Sequence, residues 1–193
     1  MSNVHRATCK MGVCCFRAAC IYLIFQPAHM PVIIRNATTA DLPAILDITN
    51  EAILHTTAIY DYDARTMEAQ EAWWADKQAT GMPVIVAELD GKTIGFGSYG
   101  RFRPKIGYQY CVEHSIYLDA NYRGQGTGSA LLRELIALAA KQGLHTMVAG
   151  IDADNEGSIA FHKKYGFEEV GRLPQVGFKF ERWLDLVFLQ KTL

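Results

Sequence analysis

The sequence of 193 residues is short of several things, and each shortage narrows what it can do. It has no excess of basic charge: 19 Lys plus Arg stand against 20 Asp plus Glu, a formal charge of −1. No net electrostatic pull therefore draws it to nucleic acid or to an anionic membrane, and a small molecule becomes the default partner. No uninterrupted apolar run approaches the ~20 residues of a spanning helix. Cysteine is nearly absent from the body, because Cys9, Cys14, Cys15 and Cys20 lie in the first twenty residues and only Cys111 lies beyond them. A body with one thiol forms no internal disulfide and suits the cytoplasm. The four early cysteines lack the Cys-x-x-Cys turns of a zinc site, so no metal is expected.

The first 29 residues contain no acidic residue at all, yet carry His5, Arg6, Lys10 and Arg17. A secretory signal would use Ile21-Tyr22-Leu23-Ile24-Phe25 as its apolar stretch, but Arg17 interrupts the approach to it. A lipoprotein signal ending at Ala18-Ala19-Cys20 would want an apolar residue where Arg17 stands. Met30-Pro31-Val32-Ile33-Ile34-Arg35 reads as a natural start for a cytosolic domain. The sequence thus predicts two parts: residues 1–29, a disordered tail or over-extended start, and residues 30–193, one domain. Half of the residues are apolar and a fifth charged, enough for a well-packed core.

Within the body, 32–37 is a β-branched run that predicts a strand, and Thr39 is placed to cap a helix through Leu42, Ile45, Ile48, Thr49, Ala52 and Ile53. A second helix is expected from Thr66 to Thr80, stopped by Gly81. Two extended runs, 83–89 and 93–99, flank Asp90-Gly91 and predict a hairpin. Cys111–Leu118 reads as a strand, followed by a glycine-rich loop and a long amphipathic helix ended by Gly143. Further expectations are a strand at 146–151, a helix at 155–165 stopped by Gly166, and a last strand at 183–189. This order suits a single mixed α/β (α+β) domain.

Arg123-Gly124-Gln125-Gly126-Thr127-Gly128 falls between a strand and a helix N-terminus. Glycine lets backbone approach a ligand closely, and the free N–H groups of a first helical turn favour phosphate oxygens. A P-loop does not fit, since no Lys-Ser/Thr pair follows and Gly91-Lys92-Thr93 has Val86 where the first loop glycine should be. A dinucleotide fingerprint fits only in part, with Ser129 in place of the third glycine and no acid about twenty residues on. Coenzyme A remains, as does an ordinary tight turn.

The loop has company. Ser115-Ile116-Tyr117-Leu118, then Arg-x-x-Gly-x-Gly at 123–128, then Asn155-Glu156-Gly157-Ser158-Ile159-Ala160-Phe161-His162-Lys163-Lys164-Tyr165-Gly166-Phe167 together resemble the GNAT acetyltransferase superfamily over residues 32–193. Val112-Glu113-His114-Ser115-Ile116-Tyr117 and the segment 173–185 resemble its phosphinothricin and methionine sulfone/sulfoximine N-acetyltransferases. The resemblance implies a GNAT fold with a mixed, mostly antiparallel sheet flanked by helices. It also implies direct transfer of acetyl from acetyl-CoA to the α-amine of a small amino-acid analogue, by a homodimer.

In site terms, the resemblance implies Glu113 as base and His162 as proton relay to the departing thiolate. The backbone of Ile116, Tyr117 and Leu118 would pair with the pantetheine arm, while Arg123, Gly124, Gln125, Gly126, Thr127, Gly128 and Ser129 hold the pyrophosphate. Asn155 would bond the arm and Lys164 reach a phosphate. An acceptor carboxylate calls for a guanidinium, and Arg101 and Arg103 precede Glu113 suitably. His114, Ser115, Ile116 and Tyr60 complete the candidate acceptor contacts, while Tyr99 and Phe102 are either pocket wall or core. Other acceptors, such as a protein N-terminus, a polyamine or an antibiotic amine, remain open, as does a non-catalytic CoA-binding sensor.

Overall fold

The computed structural model describes residues 31–193, so the expected extension at 1–29, with its four cysteines, lies outside the described residues. Seven strands, β1 (Ile33–Asn36), β2 (Val84–Leu89), β3 (Lys92–Arg101), β4 (Cys111–Leu118), β5 (Thr146–Asp152), β6 (Glu168–Lys179) and β7 (Arg182–Thr192), form one sheet in the order β1-β2-β3-β4-β5-β7-β6. Every neighbouring pair is antiparallel except β4 with β5. Helices α1 (Leu42–His55) and α2 (Met67–Ala79) cover one face; α3 (Thr127–Lys141) and α4 (Glu156–Lys164) cover the other.

Periodicity explains the layers. Leu131, Leu132 and Leu135 recur along one side of α3 and are fully buried against Val112, Met147, Ala149 and Ile151 of the sheet. On the opposite face Leu42, Ile45 and Ile48 of α1 meet Val84, Val86 and Phe96, with Trp73 and Trp74 of α2 packed alongside. The Asp90-Gly91 turn has φ of 52° and 75°, the mirror-image geometry that matches strand twist. Thr66 caps α2 by accepting from the Ala69 amide at 3.2 Å.

Two expectations need correction. Thr38, not Thr39, is the extended residue at the entry to α1, and Thr39 begins a short 3-10 turn that runs into the helix. The Asp41 carboxylate decides this. It accepts from the Thr38 amide (2.8 Å), from Thr93 Oγ1 (2.7 Å) and from two guanidinium nitrogens of Arg35 (2.8 Å each), fastening α1 to β1 and β3. Those donors hold the buried Asp41 carboxyl well below the usual range.

The second correction is β6, which has no counterpart in the sequence reading. Its first nine residues are exposed, its pairing with β7 slips between Glu169 and Gly171 and again between Leu173 and Gly177, and Gln175 has φ of 51°. An edge strand with two bulges carries no two-residue alternation to read.

The end of β6 shapes the face of the sheet. Lys179 is buried, and its Nζ donates to the carbonyls of Ile53, Thr56 and Ile59. Tyr62 donates from its hydroxyl to the Phe178 carbonyl at 2.6 Å. The Tyr60 ring occupies the space a Cβ on Gly177 would need. The segment between α1 and α2 is thereby docked on the β6–β7 hairpin.

Candidate active site

The parallel pair β4 and β5 touches only through Cys111↔Thr146, Val112↔Met147 and Glu113↔Val148. Beyond that point β4 keeps β3 as its neighbour, from His114↔Tyr99 to Leu118↔Gly95, and β5 keeps β7, from Ala149↔Leu189 to Asp152↔Leu186. The inner edges of the two strands therefore part into a wedge, with Glu113 at the apex. A strand edge without a partner offers backbone N–H and C=O groups to an extended ligand. Ile116, Tyr117 and Leu118 lie along that edge. The Tyr117 ring turns away into the α1 side, 5.4 Å from the Phe96 ring, so backbone is what this position presents to the wedge.

The glycine loop closes the open end of the wedge. Gly124 and Gly126 have φ of 77° and 85°, a left-handed backbone that a β-carbon would strain, and Gly126 is the residue that leads into α3. No side chain caps this helix, which leaves the amides of Thr127, Gly128 and Ser129 without intrahelical acceptors. A Cβ on Gly128 would lie 3.6 Å from Leu118 of β4 and 3.8 Å from Phe161 of α4, so the free amides, the wedge edge and α4 converge. The buried Thr127 hydroxyl has no partner among the described residues. These open donors fit a pyrophosphate. Arg123, in the loop, and Lys164, at the end of α4, are exposed, while the Asn155 side-chain oxygen accepts from the Ser158 amide at 3.0 Å as the cap of α4. That cap leaves the Asn155 amide NH₂ as its free donor.

Side chains along β4 alternate, and this sorts the polar candidates. Val112, Ile116 and Leu118 pack into the α3–α4 side, and His114 stacks there on His162 (5.1 Å) and Phe167 (5.5 Å). Glu113, Ser115 and Tyr117 face the α1–α2 side. Glu113 is half-buried, and burial raises its carboxyl above the ordinary range while the nearby Arg103 guanidinium pulls it back. Arg103 lies over the Phe102 ring at 5.0 Å, and neither Arg101 nor Arg103 pairs with an acid among the described residues. Phe102 in turn packs edge-on to Phe188 of β7 at 6.0 Å.

His162 is buried, and its Nδ1 lies 2.7 Å from the Ser158 carbonyl oxygen. A carbonyl only accepts, so Nδ1 carries the proton and Nε2 presents a lone pair, buried and unpartnered among the described residues. Burial lowers the basicity of this ring. The His114 imidazole is pushed down to about 3 by burial and by the neighbouring His162, which makes it a neutral packing ring at physiological pH. Strand alternation puts it on the opposite face from Glu113, and Arg101, register partner of Val112, starts from that same opposite face, so only Arg103 is left near Glu113. Tyr99 is fully buried, with its hydroxyl donating to Gln142 Oε1 at 2.9 Å, and so belongs to the core. Tyr60, held by Gly177, stands on the α1–α2 side with Asp152 as its leading charged neighbour.

A wedge between parallel strands is closed by a glycine loop whose helix offers uncapped amides, a geometry that has room for an extended ligand with an anionic tail. The sequence comparisons agree: residues 44–167 match the Acetyltransferase (GNAT) family. The chain belongs to that family. This GNAT acetyltransferase is 46% identical over 165 residues to the L-methionine sulfoximine/L-methionine sulfone acetyltransferase of Pseudomonas aeruginosa, covering 85% of this chain and 96% of that one. A putative acetyltransferase from Salmonella typhimurium, solved with its cofactor acetyl-CoA, superposes with a TM-score of 0.81 at 43% identity, covering 83% of this chain and 93% of that one. A phosphinothricin acetyltransferase from Sinorhizobium meliloti, in complex with acetyl-CoA, gives a TM-score of 0.82 at 36% identity, covering 85% and 89%. Among the described residues of the GNAT domain no helix is long and apolar enough to cross a membrane.

Gly150, Asp152 and Lys179 are the site-side residues that sequence reasoning passed over. For Gly150 a signal existed: an isolated glycine inside the apolar strand run 146–151, which marks a close approach. Asp152 and Lys179 had none, since a lone charge at a strand end ordinarily faces solvent.

Proposed function

We propose that this GNAT enzyme transfers acetyl from acetyl-CoA to the α-amino group of a small amino-acid analogue of the methionine sulfoximine, methionine sulfone or phosphinothricin type. The observation that carries the reading is Glu113, a carboxyl of raised basicity at the apex of an open strand pair, with the Arg103 guanidinium near it and without an acid partner among the described residues. Acetyl-CoA supplies an activated thioester carbonyl for the amine to attack, with the sulfur leaving as thiolate.

The residues of this chain do the rest. Glu113 takes the proton that the ammonium of the acceptor must lose, directly or through one water. The edge of β4 at Ile116, Tyr117 and Leu118 aligns the pantetheine arm, with the Asn155 NH₂ as a further donor. The amides from Gly124 to Ser129, with Arg123, Gln125 and Lys164 beside them, hold the phosphates. Because Nε2 of His162 is a lone pair, this residue relays a proton by accepting before it gives, which suits passage of the amine proton toward the thiolate. Arg103 receives the acceptor carboxylate, and Ser115 and Tyr60 line the same face, while Arg101 stands at the strand end opposite Val112. A polyamine would want a carboxylate where the Arg103 guanidinium stands. The homology to enzymes named for amino-acid analogues supports the same acceptor class, and the enzyme works as a homodimer in the cytoplasm.

The test follows CoA thiol release with methionine sulfoximine, methionine sulfone, phosphinothricin and spermidine in parallel. Release with at least one of the first three and none with spermidine is expected. Spermidine alone as acceptor would overturn the reading. Glu113→Gln should lower kcat by about 100-fold or more, the ordinary worth of general base catalysis, with acetyl-CoA binding retained.

A further inference from the structure

Gly150 of β5 faces the same side of the sheet as Val148 and therefore as Glu113, Val148's register partner. Although it is flanked by buried residues, Gly150 itself is exposed, so its backbone forms the floor of an opening. A β-carbon placed there would lie 2.9 Å from Glu113 Oε1, 3.6 Å from Leu186 Cδ1 and 3.7 Å from Phe188 Cε1. The last two distances are ordinary contacts. The first is not: the Glu113 carboxylate occupies the room that the missing side chain leaves.

We propose that Gly150 is a positioning residue for Glu113 and sets the depth of the acceptor pocket, whose floor is the Gly150 backbone and whose apolar walls are Leu186, Phe188 and Phe102. The inference deepens the proposed function and rests on Glu113 acting as the base. The glycine is absent from any list of motifs because it holds no ligand and donates nothing; it works by being empty. A carboxylate is the far end of a flexible side chain, so a methyl group at 150 displaces Glu113 rather than the strand. The backbone at Gly150 has no left-handed φ, and alanine is accepted there without strain.

The experiment compares the full-length wild type, Gly150→Ala, Glu113→Gln and the double variant, with methionine sulfoximine as acceptor. Gly150→Ala is expected to lower kcat about 10- to 100-fold, the cost of an ångström-scale misplacement of a reacting group. KM for acetyl-CoA and the melting temperature should stay at their wild-type values. In the double variant the alanine should add nothing to the loss caused by Glu113→Gln, because both act on one group. Multiplying losses, or a raised acetyl-CoA KM in Gly150→Ala, would overturn the positioning role. So would full kcat in Gly150→Ala while Glu113→Gln is impaired. Full activity in Glu113→Gln would instead overturn the base assignment itself, a distinguishable failure.

Discussion

Burial and one cation at the wedge oppose each other in their effect on the base. Burial raises the Glu113 carboxyl, because a charged carboxylate loses water there, and the Arg103 guanidinium favours the charged form. A base works only when deprotonated, so activity is lost as pH falls through its pKa. Removing the cation removes the influence that lowers that pKa. Arg103→Ala should therefore move the acid limb of the kcat profile, at saturating acceptor, to higher pH. An acid limb unmoved or displaced to lower pH would show that Arg103 does not act on Glu113. At this scale the motifs around Glu113 and His162 are what single those two residues out for the roles proposed above. The sequence was silent where tertiary packing alone decides, as for Gly177 under the Tyr60 ring and for His114 in its buried stack.

Among the elements, the loop before α3 is the one whose chemistry lies in its backbone. Gly126 has φ of 85° and a β-carbon there would touch nothing, so replacement costs conformational strain and not a clash. Left-handed backbone costs an ordinary residue about 1–2 kcal/mol. Gly126→Ala should lose about that much stability or relax the turn and tilt the amides of Thr127 to Ser129. The favourable interaction of an anion with a helix N-terminus reaches about 1–2 kcal/mol in partly buried sites, so KM for acetyl-CoA should rise about tenfold. At saturating acetyl-CoA, kcat should stay within about twofold. Steady-state kinetics with acetyl-CoA varied checks both, and an unchanged KM would remove the loop from phosphate binding.

Elements closed by such turn chemistry were legible in advance: the Asp90-Gly91 hairpin and the Gly81, Gly143 and Gly166 stops. The wedge itself was not, because it depends on where pairing between β4 and β5 ends, a tertiary fact. Nor was β6, whose residues answer to β7 and to the Tyr60 segment and not to a local period.

For the molecule as a whole, the edge formed by β6 is the unfinished side. Val176 is 53% exposed, Phe180 52%, Trp183 61% and Tyr62 60%, and the Phe178 and Trp183 rings meet edge-on with centroids 5.0 Å apart. Soluble monomers seldom expose a contiguous apolar patch beyond a few hundred Å², and β6 ends the sheet with an outer edge that no described strand covers. In the proposed homodimer a second copy would meet both needs at once, since a twofold axis sets the same patch against itself. The consequence reaches the site, because the hairpin that bears these residues also holds Tyr60 through Gly177 and the α1–α2 segment through Lys179. Sedimentation equilibrium should give twice the chain mass. Trp183→Glu sets like charges against each other across the axis and should yield a monomer whose KM for the acceptor rises while that for acetyl-CoA does not, since the wedge and the glycine loop lie away from this edge. A wild-type monomer, or a dimer unaffected by Trp183→Glu, would place the exposed aromatic cluster outside the assembly.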